Sequence, residues 1–180
     1  MIVNFIRTHK ISAYILTALR LFLGFAWMTT GWRKLTGGGF DATGYLKGAI
    51  ANPVAGPDGI VYGWYVAFLE NVALPNVAVF NVLVPLGEFL VGLGLILGCF
   101  TTAAAFFGVV MNFAFMLAGT VSQNPTDILM GFIIMVAGYN AGRYGLDRWV
   151  LPLIKKIIVR NDNKPNNPNK DEVNNKPVAA

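Results

Sequence analysis

Charge is what this sequence is short of. Of its 180 residues 13% are charged, against about a quarter in ordinary soluble domains, and that deficit points toward the membrane. Cysteine is nearly absent. Cys99 stands alone inside an apolar run, which excludes an intrachain disulfide and a dithiol redox pair. Histidine is equally scarce, with His9 isolated near one end. With no CxxC, no CxxCH and no paired histidines, the chain offers no metal or haem site of its own. No internal repeat is present. The net charge of +5 is the one feature that would suit nucleic acid, and its placement along the chain argues against that partner.

What the chain has in abundance is long apolar stretches. Asn81 to Cys99, NVLVPLGEFLVGLGLILGC, carries one charge, Glu88, near its middle. At about 1.5 Å per residue a helix of this length spans a hydrocarbon layer of ~30 Å. A carboxylate at that depth costs at least about 2.5–3.5 kcal/mol, so it needs a partner or a task. Pro85 lies one turn before Glu88 and predicts a kink, and Gly94 with Gly98 forms a small-xxx-small pair. Further apolar runs predict spans at about 11–34, 77–99, 102–121 and 128–144. The first is too long for a signal peptide, is interrupted by Arg20 and lacks a small-residue cleavage site, so it is expected to be retained. On a helix, Arg20, Gly24, Trp27, Gly31 and Lys34 share one face. Close helix packing accounts for the glycines; it does not account for the arginine. In the third span Gly108, Asn112, Phe115 and Gly119 share a face, and the fourth carries Asn140 and Arg143 near its end.

The long hydrophilic connection runs from Thr36 to Pro75. GGGFD turns the chain, Asp41 suits the cap of a short helix through Ala51, and NPVAGPDG is dense in turn formers. Tyr62 to Leu74 is aromatic and too short to span, fitting either an interfacial helix or a lid over the bundle. After Asp147, DRWVLPLIKKIIVR predicts a basic amphipathic helix on an anionic leaflet. Beyond it, 161–180 has too little apolar content to fold and is expected to be disordered. The expected fold is all-α. A four-helix transmembrane bundle fills residues 1–150, with short interfacial helices in its extracytoplasmic loop and a juxtamembrane segment at 147–160.

Orientation follows from lysine and arginine. Residues 1–10 hold two, 143–180 hold eight, and the loop from Arg33 to Pro75 holds three, offset by Asp41, Asp58 and Glu70. Four spans place both termini on one side, and the bias makes that side the cytoplasm. Counting along the helices puts Arg20 about 12 Å deep, with Glu88 and Asn112 each about 16 Å deep. Buried charges require pairing. The layer therefore predicts an Arg20–Glu88 ion pair with Asn112 hydrogen-bonded beside it, either as a register device or as a polar pocket for a headgroup or protons.

Three segments carry a resemblance. LRLFLGFAWMTTGWRKLTGG, GEFLVGLGLILGCFT and GYNAGRYGLDRW resemble the DoxX family of four-helix bacterial membrane proteins, with Gly31, Lys34 and Leu35 at the family's glycine–lysine–leucine positions. The family includes the small membrane subunit of thiosulfate:quinone oxidoreductase. The resemblance implies a plasma-membrane subunit of a quinone-linked oxidoreductase, acting on thiosulfate or another reduced sulfur compound and working beside other subunits or a second copy of itself. A quinone carbonyl is then expected near Arg20 and Asn112, with Glu88 handling protons and Trp27, Lys34 and Asn140 completing the cofactor-binding set. Any haem, flavin or metal has to come from another subunit. Two other functions remain open on the residues: a non-catalytic scaffold for membrane assemblies, and a carrier of small solutes or protons, for which four helices without a repeat are a thin scaffold.

Overall fold

A computed structural model describes residues 1–162. The chain divides into two units, Met1–Arg148 and a second beginning at Trp149. The first is helical throughout its core: α1 (Ile2–Thr8), α2 (Lys10–Thr36), α3 (Thr43–Ala51), α4 (Gly63–Phe68), α5 (Val77–Leu97), α6 (Thr101–Leu117), α7 (Asn124–Ala137) and α8 (Tyr139–Gly142). A two-stranded hairpin, β1 (Ala55–Gly56) and β2 (Gly59–Ile60), occupies the Pro/Gly-rich turn region. The final helix, α9 (Asp147–Asp162), begins at the end of the first unit and forms the described part of the second. It covers the segment expected to be a basic amphipathic helix and runs through residues 161 and 162. The rest of the expected tail lies outside the described residues.

Four helices form a ring of neighbours. α2 packs on α5, α5 on α6, α6 on α7, and α7 back on α2. α2 and α5 are long and apolar enough to cross a bilayer, at about 40 and 31 Å. α6 and α7 are shorter, about 26 and 21 Å by the same rise. The fourth predicted span, 128–144, is thus broken in two. Gly138 leaves helical geometry at φ 55°, ψ −129°, a conformation that glycine alone takes readily, and the chain restarts as α8.

Glycine decides how closely α2 and α5 meet. A Cβ on Gly92 would fall 2.2 Å from the Met28 backbone nitrogen, and one on Gly31 would fall 2.4 Å from that of Phe89. The main chains touch, as small-residue interfaces allow. Gly94 instead faces Ala104 of α6. The predicted face of α2 is the buried one: Arg20, Gly24, Trp27 and Gly31 line it with Leu16 and Leu23.

The Thr36–Pro75 connection folds into a lid. Ala42 at the N-cap of α3 and Leu46 and Ala49 within it pack with Tyr65, Leu69 and Ala73, the last two from a π-helical turn that continues α4. This cluster sits on the N-terminal end of α5 and the C-terminal end of α6 at Phe80, Ala114 and Leu117. The Asp41 carboxylate accepts from the Thr43 hydroxyl at 2.6 Å and the Thr43 N–H at 2.9 Å, and these bonds hold its pKa below the ordinary carboxylate range. Asn81 Oδ1 accepts from the Ala42 N–H at 2.8 Å, so the start of α3 is fastened to α5. Within Tyr62–Leu74, Tyr65, Leu69 and Ala73 turn toward the bundle while Trp64 stays exposed.

Gly92→Ala should lower the melting temperature of the protein in detergent by an amount matching about 1–3 kcal/mol or more, because backbone has to move to admit the methyl. Gly48→Ala in α3 meets nothing within 4 Å and should be neutral or stabilising by up to about 1 kcal/mol. Equal effects at both positions would show that the main-chain contact of α2 with α5 does not limit stability.

Candidate functional site

The expected ion pair does not form. Arg20 and Glu88 both lie on the α2–α5 seam and both are buried, but each has a different partner. The Arg20 guanidinium donates through Nη1 to the carbonyls of Leu95 and Ile96, the latter at 2.7 Å, and through Nη2 to Tyr144 O at 3.3 Å. These acceptors include carbonyls of the last turn of α5, which have no partner within the helix, and a cation there meets the negative end of the helix dipole. Depth counting failed because it set Arg20 and Glu88 in one layer, whereas Gly24, one turn after Arg20, already packs on Leu95 and Ile96. Arg20 extends toward the α5–α6 turn, while Glu88 sits about two turns up α5.

Around Arg20 the chain builds a second cap of opposite sign. Asp147 Oδ1 accepts from the Phe100 N–H at 2.6 Å and Oδ2 from the Thr101 N–H at 2.9 Å, at the start of α6. The Asp147 and Leu146 N–H groups bond back to Gly98 and Leu97 carbonyls at 2.7 and 3.0 Å. Phe100 is held at φ 50° and Gly98 at φ 62°. A Cβ on Gly98 would lie 2.8 Å from the Arg20 guanidinium carbon, so glycine is required there for space as well as for dihedral. Asp147 was not among the candidates from sequence. Its signal was an acid ending GRYGLD, the run that closes on the Arg20 end of the bundle.

Asn140 also turns out to cap a helix. Its Nδ2 donates to Ile6 O at 2.8 Å, His9 O at 3.2 Å and Ser12 Oγ at 2.9 Å, joining α8 to the α1–α2 corner. Arg7 Nε donates to Val136 O at 2.9 Å, adding a second tie. Asn112 is buried on α6, on the face it shares with Gly108 and Val109, and it is not the hydrogen-bonded neighbour of an Arg20–Glu88 pair that the depth count predicted. Trp27 is buried in the central cluster with Leu23, Val91 and Leu95.

Glu88 pairs with Lys34. Lys34 Nζ lies 2.6 Å from Glu88 Oε1, with the carboxylate side chain 5% exposed and the lysine 28%. Glu88 Oε2 is buried and has no hydrogen-bond partner among the described residues. The lysine ammonium also sits 4.9 Å from the centre of the Phe40 ring, a cation–π distance. Sequence placed Lys34 on the right face of α2 but did not link it to Glu88, because Lys34 stands near the outer end of α2 and Glu88 counts as mid-span. A four-carbon side chain reaching inward along the seam closes the gap.

Two cavities share Phe40, and the smaller is lined by Lys34. A small one of about 200 Å³ opens beside Thr30, Arg33, Lys34, Gly37, Gly39 and Phe40. A larger apolar groove of about 870 Å³ runs between α5 and α6 beneath the lid, lined by residues including Phe40, Leu90, Gly94, Ala103, Phe107 and Val110. Cys99 lies at its far end and Tyr65 under the lid. The Tyr65 hydroxyl donates to Ala114 O at 2.9 Å, and burial, aided by nearby Tyr45, pushes its pKa up to about 12.

The sequence model of the DoxX family matches residues 15–120, from α2 through α6. The chain belongs to the DoxX family. That is a family of membrane proteins, which agrees with the apolar α2 and α5. No curated protein and no solved structure matches the chain. The family match covers Arg20, Lys34, Glu88 and Asn112, whereas Asn140 and Asp147 lie beyond its end. Among the described residues no group of three or more His, Cys, Asp or Glu side chains is placed to hold a metal ion.

Since Arg20 and Glu88 have separate partners, Arg20→Leu and Glu88→Gln should add in a double-mutant cycle to within about 0.5 kcal/mol. Lys34→Met and Glu88→Gln should not. Lys34→Met strands a buried carboxylate and should cost about 3–5 kcal/mol, more than Glu88→Gln, whose orphaned lysine still reaches solvent. Coupling between Arg20 and Glu88 in thermal unfolding would contradict this arrangement.

Proposed function

We propose that this DoxX protein is a bacterial plasma-membrane subunit of a quinone-linked oxidoreductase, and that it receives the lipid-soluble quinone in the α5–α6 groove. The groove carries the reading: about 870 Å³ of apolar space with its flank formed by exposed Leu83, Leu90, Phe107 and Val110. Cavities of several hundred Å³ with apolar walls and few polar groups suit ring-and-tail ligands. α2, α5, α6 and α7 all cross the bilayer in this reading, the lid faces outward and both termini are cytoplasmic, as the lysine and arginine distribution supports. The electron donor, whether for thiosulfate or another reduced sulfur compound, belongs to partner subunits. The chain's own share is to bind the quinone, shield it from water and present it. Arg20 and Asn140 are set aside as ligands, since both serve helix ends.

Organic extraction of the purified protein should recover quinone at a substantial fraction of one per chain. Ala103→Trp and Val110→Trp, which fill the groove from exposed positions, should keep normal membrane abundance and lose most of that quinone. Extracts free of quinone, or unchanged by both tryptophans, would refute the assignment.

A further inference from the structure

Phe40 is the residue common to both cavities: it borders the small mouth with Lys34 and the apolar groove with Leu90 and Ala42. It follows a run of three glycines, of which Gly38 and Gly39 have φ of 94° and 111°, and a Cβ on either would meet nothing within 4 Å. The turn before the ring thus needs glycine for its dihedrals, and the ring itself packs against the lid cluster. Across it stands the Lys34 ammonium, 4.9 Å from the ring centre. An ammonium has three donor hydrogens, and Glu88 Oε1 uses one of them at 2.6 Å. Glu88 Oε2 adds a buried acceptor with no partner among the described residues. The walls of the large groove are nearly all apolar and include neither Lys34 nor Glu88. Tyr65 under the lid already donates its hydroxyl to Ala114 O, so a polar contact has to come past Phe40, which the groove shares with the small mouth.

We infer that Phe40, Lys34 and Glu88 form a polar head site beside the groove, at the Phe40 edge it shares with the small mouth, and that an aromatic or quinonoid ring there stacks on Phe40 and takes a hydrogen bond from Lys34 Nζ. Glu88 is the positioning residue that fixes the ammonium, and among the described residues it is the carboxylate within ion-pair distance of Lys34. A pair that offers both a donor and an open acceptor matches a ring bearing carbonyl oxygens in one state and hydroxyls in the other. The ligand's tail then lies along α5 and α6 toward Cys99. This rests on the quinone reading of the groove and moves the ring away from Arg20 and Asn112, where the sequence placed it.

The test is titration of the full chain, in phosphatidylcholine nanodiscs, with a benzoquinone carrying one isoprenoid unit, followed by tryptophan fluorescence. The paired variant Lys34→Met with Glu88→Gln removes both charges together, so neither is stranded. It should weaken binding about tenfold or more, the worth of a hydrogen bond to a charged group. Phe40→Ala leaves the ion pair in place and should also weaken binding several-fold, which keeps the test open where the paired variant does not fold. Binding that is lost in Ala103→Trp but unchanged in the paired variant and in Phe40→Ala would overturn the head-end assignment while leaving the groove intact. Absence of binding by the unaltered protein would overturn the groove reading itself, and the head end with it.

Discussion

The α5–α6 turn depends on two charges of opposite sign placed at two helix ends. Arg20 supplies donors to the closing carbonyls of α5, and Asp147 supplies acceptors to the opening N–H groups of α6. In water those backbone groups would be solvated. In an apolar surrounding each one left bare costs several kcal/mol. One residue comes from the first long helix and the other is the first residue of α9, so the capping holds both ends of the unit against its middle. The left-handed Phe100 and the glycine contact between positions 98 and 145 are tolerable because the caps fix them from both sides.

Polar side chains in this protein separate into two groups by what they touch. Arg20, Asp147, Asn140, Ser12 and Arg7 bond mostly to main chain, at corners and helix ends. Lys34 and Glu88 bond to each other and leave capacity unused. Spare donors and acceptors within a membrane helix pair are expensive to keep. Arg20 Nε and Thr101 Oγ1 are also buried without a partner among the described residues, so spare capacity alone does not mark a site. What sets Lys34 and Glu88 apart is a side-chain ion pair beside a cavity that Lys34 lines.

Much of the architecture was legible in the sequence, for physical reasons. Apolar runs longer than a bilayer is thick gave α2 and α5, and the spacing of Arg20, Gly24, Trp27 and Gly31 gave the buried face of α2, since helix periodicity is set by geometry alone. The partners of the charges were not legible. Pairing was assigned by counting depth along each helix, which put Arg20 and Glu88 in one layer. The structure instead sets Arg20 against Leu95 and Ile96, about two turns along α5 from Glu88, and brings Lys34 to Glu88. The break at Gly138 was equally hidden, because a glycine inside an apolar run reads the same whether it packs or bends. The large groove had no signal at all, as cavities arise from the angle between helices and not from any one residue.

The lid and the groove together restrict how a ligand arrives. Tyr65, Leu69 and Ala73 close the outer end against α5 and α6, while the flank between those helices is lined by exposed leucine, phenylalanine and valine. For the proposed quinone, entry would then be sideways. A quinone using the groove would first dissolve among lipid tails, so its occupancy would follow its mole fraction in the bilayer and not its concentration in water. Tight binding is then unnecessary: a solute confined to so thin a volume is already concentrated, and a modest affinity keeps the groove filled while still allowing exchange at each encounter.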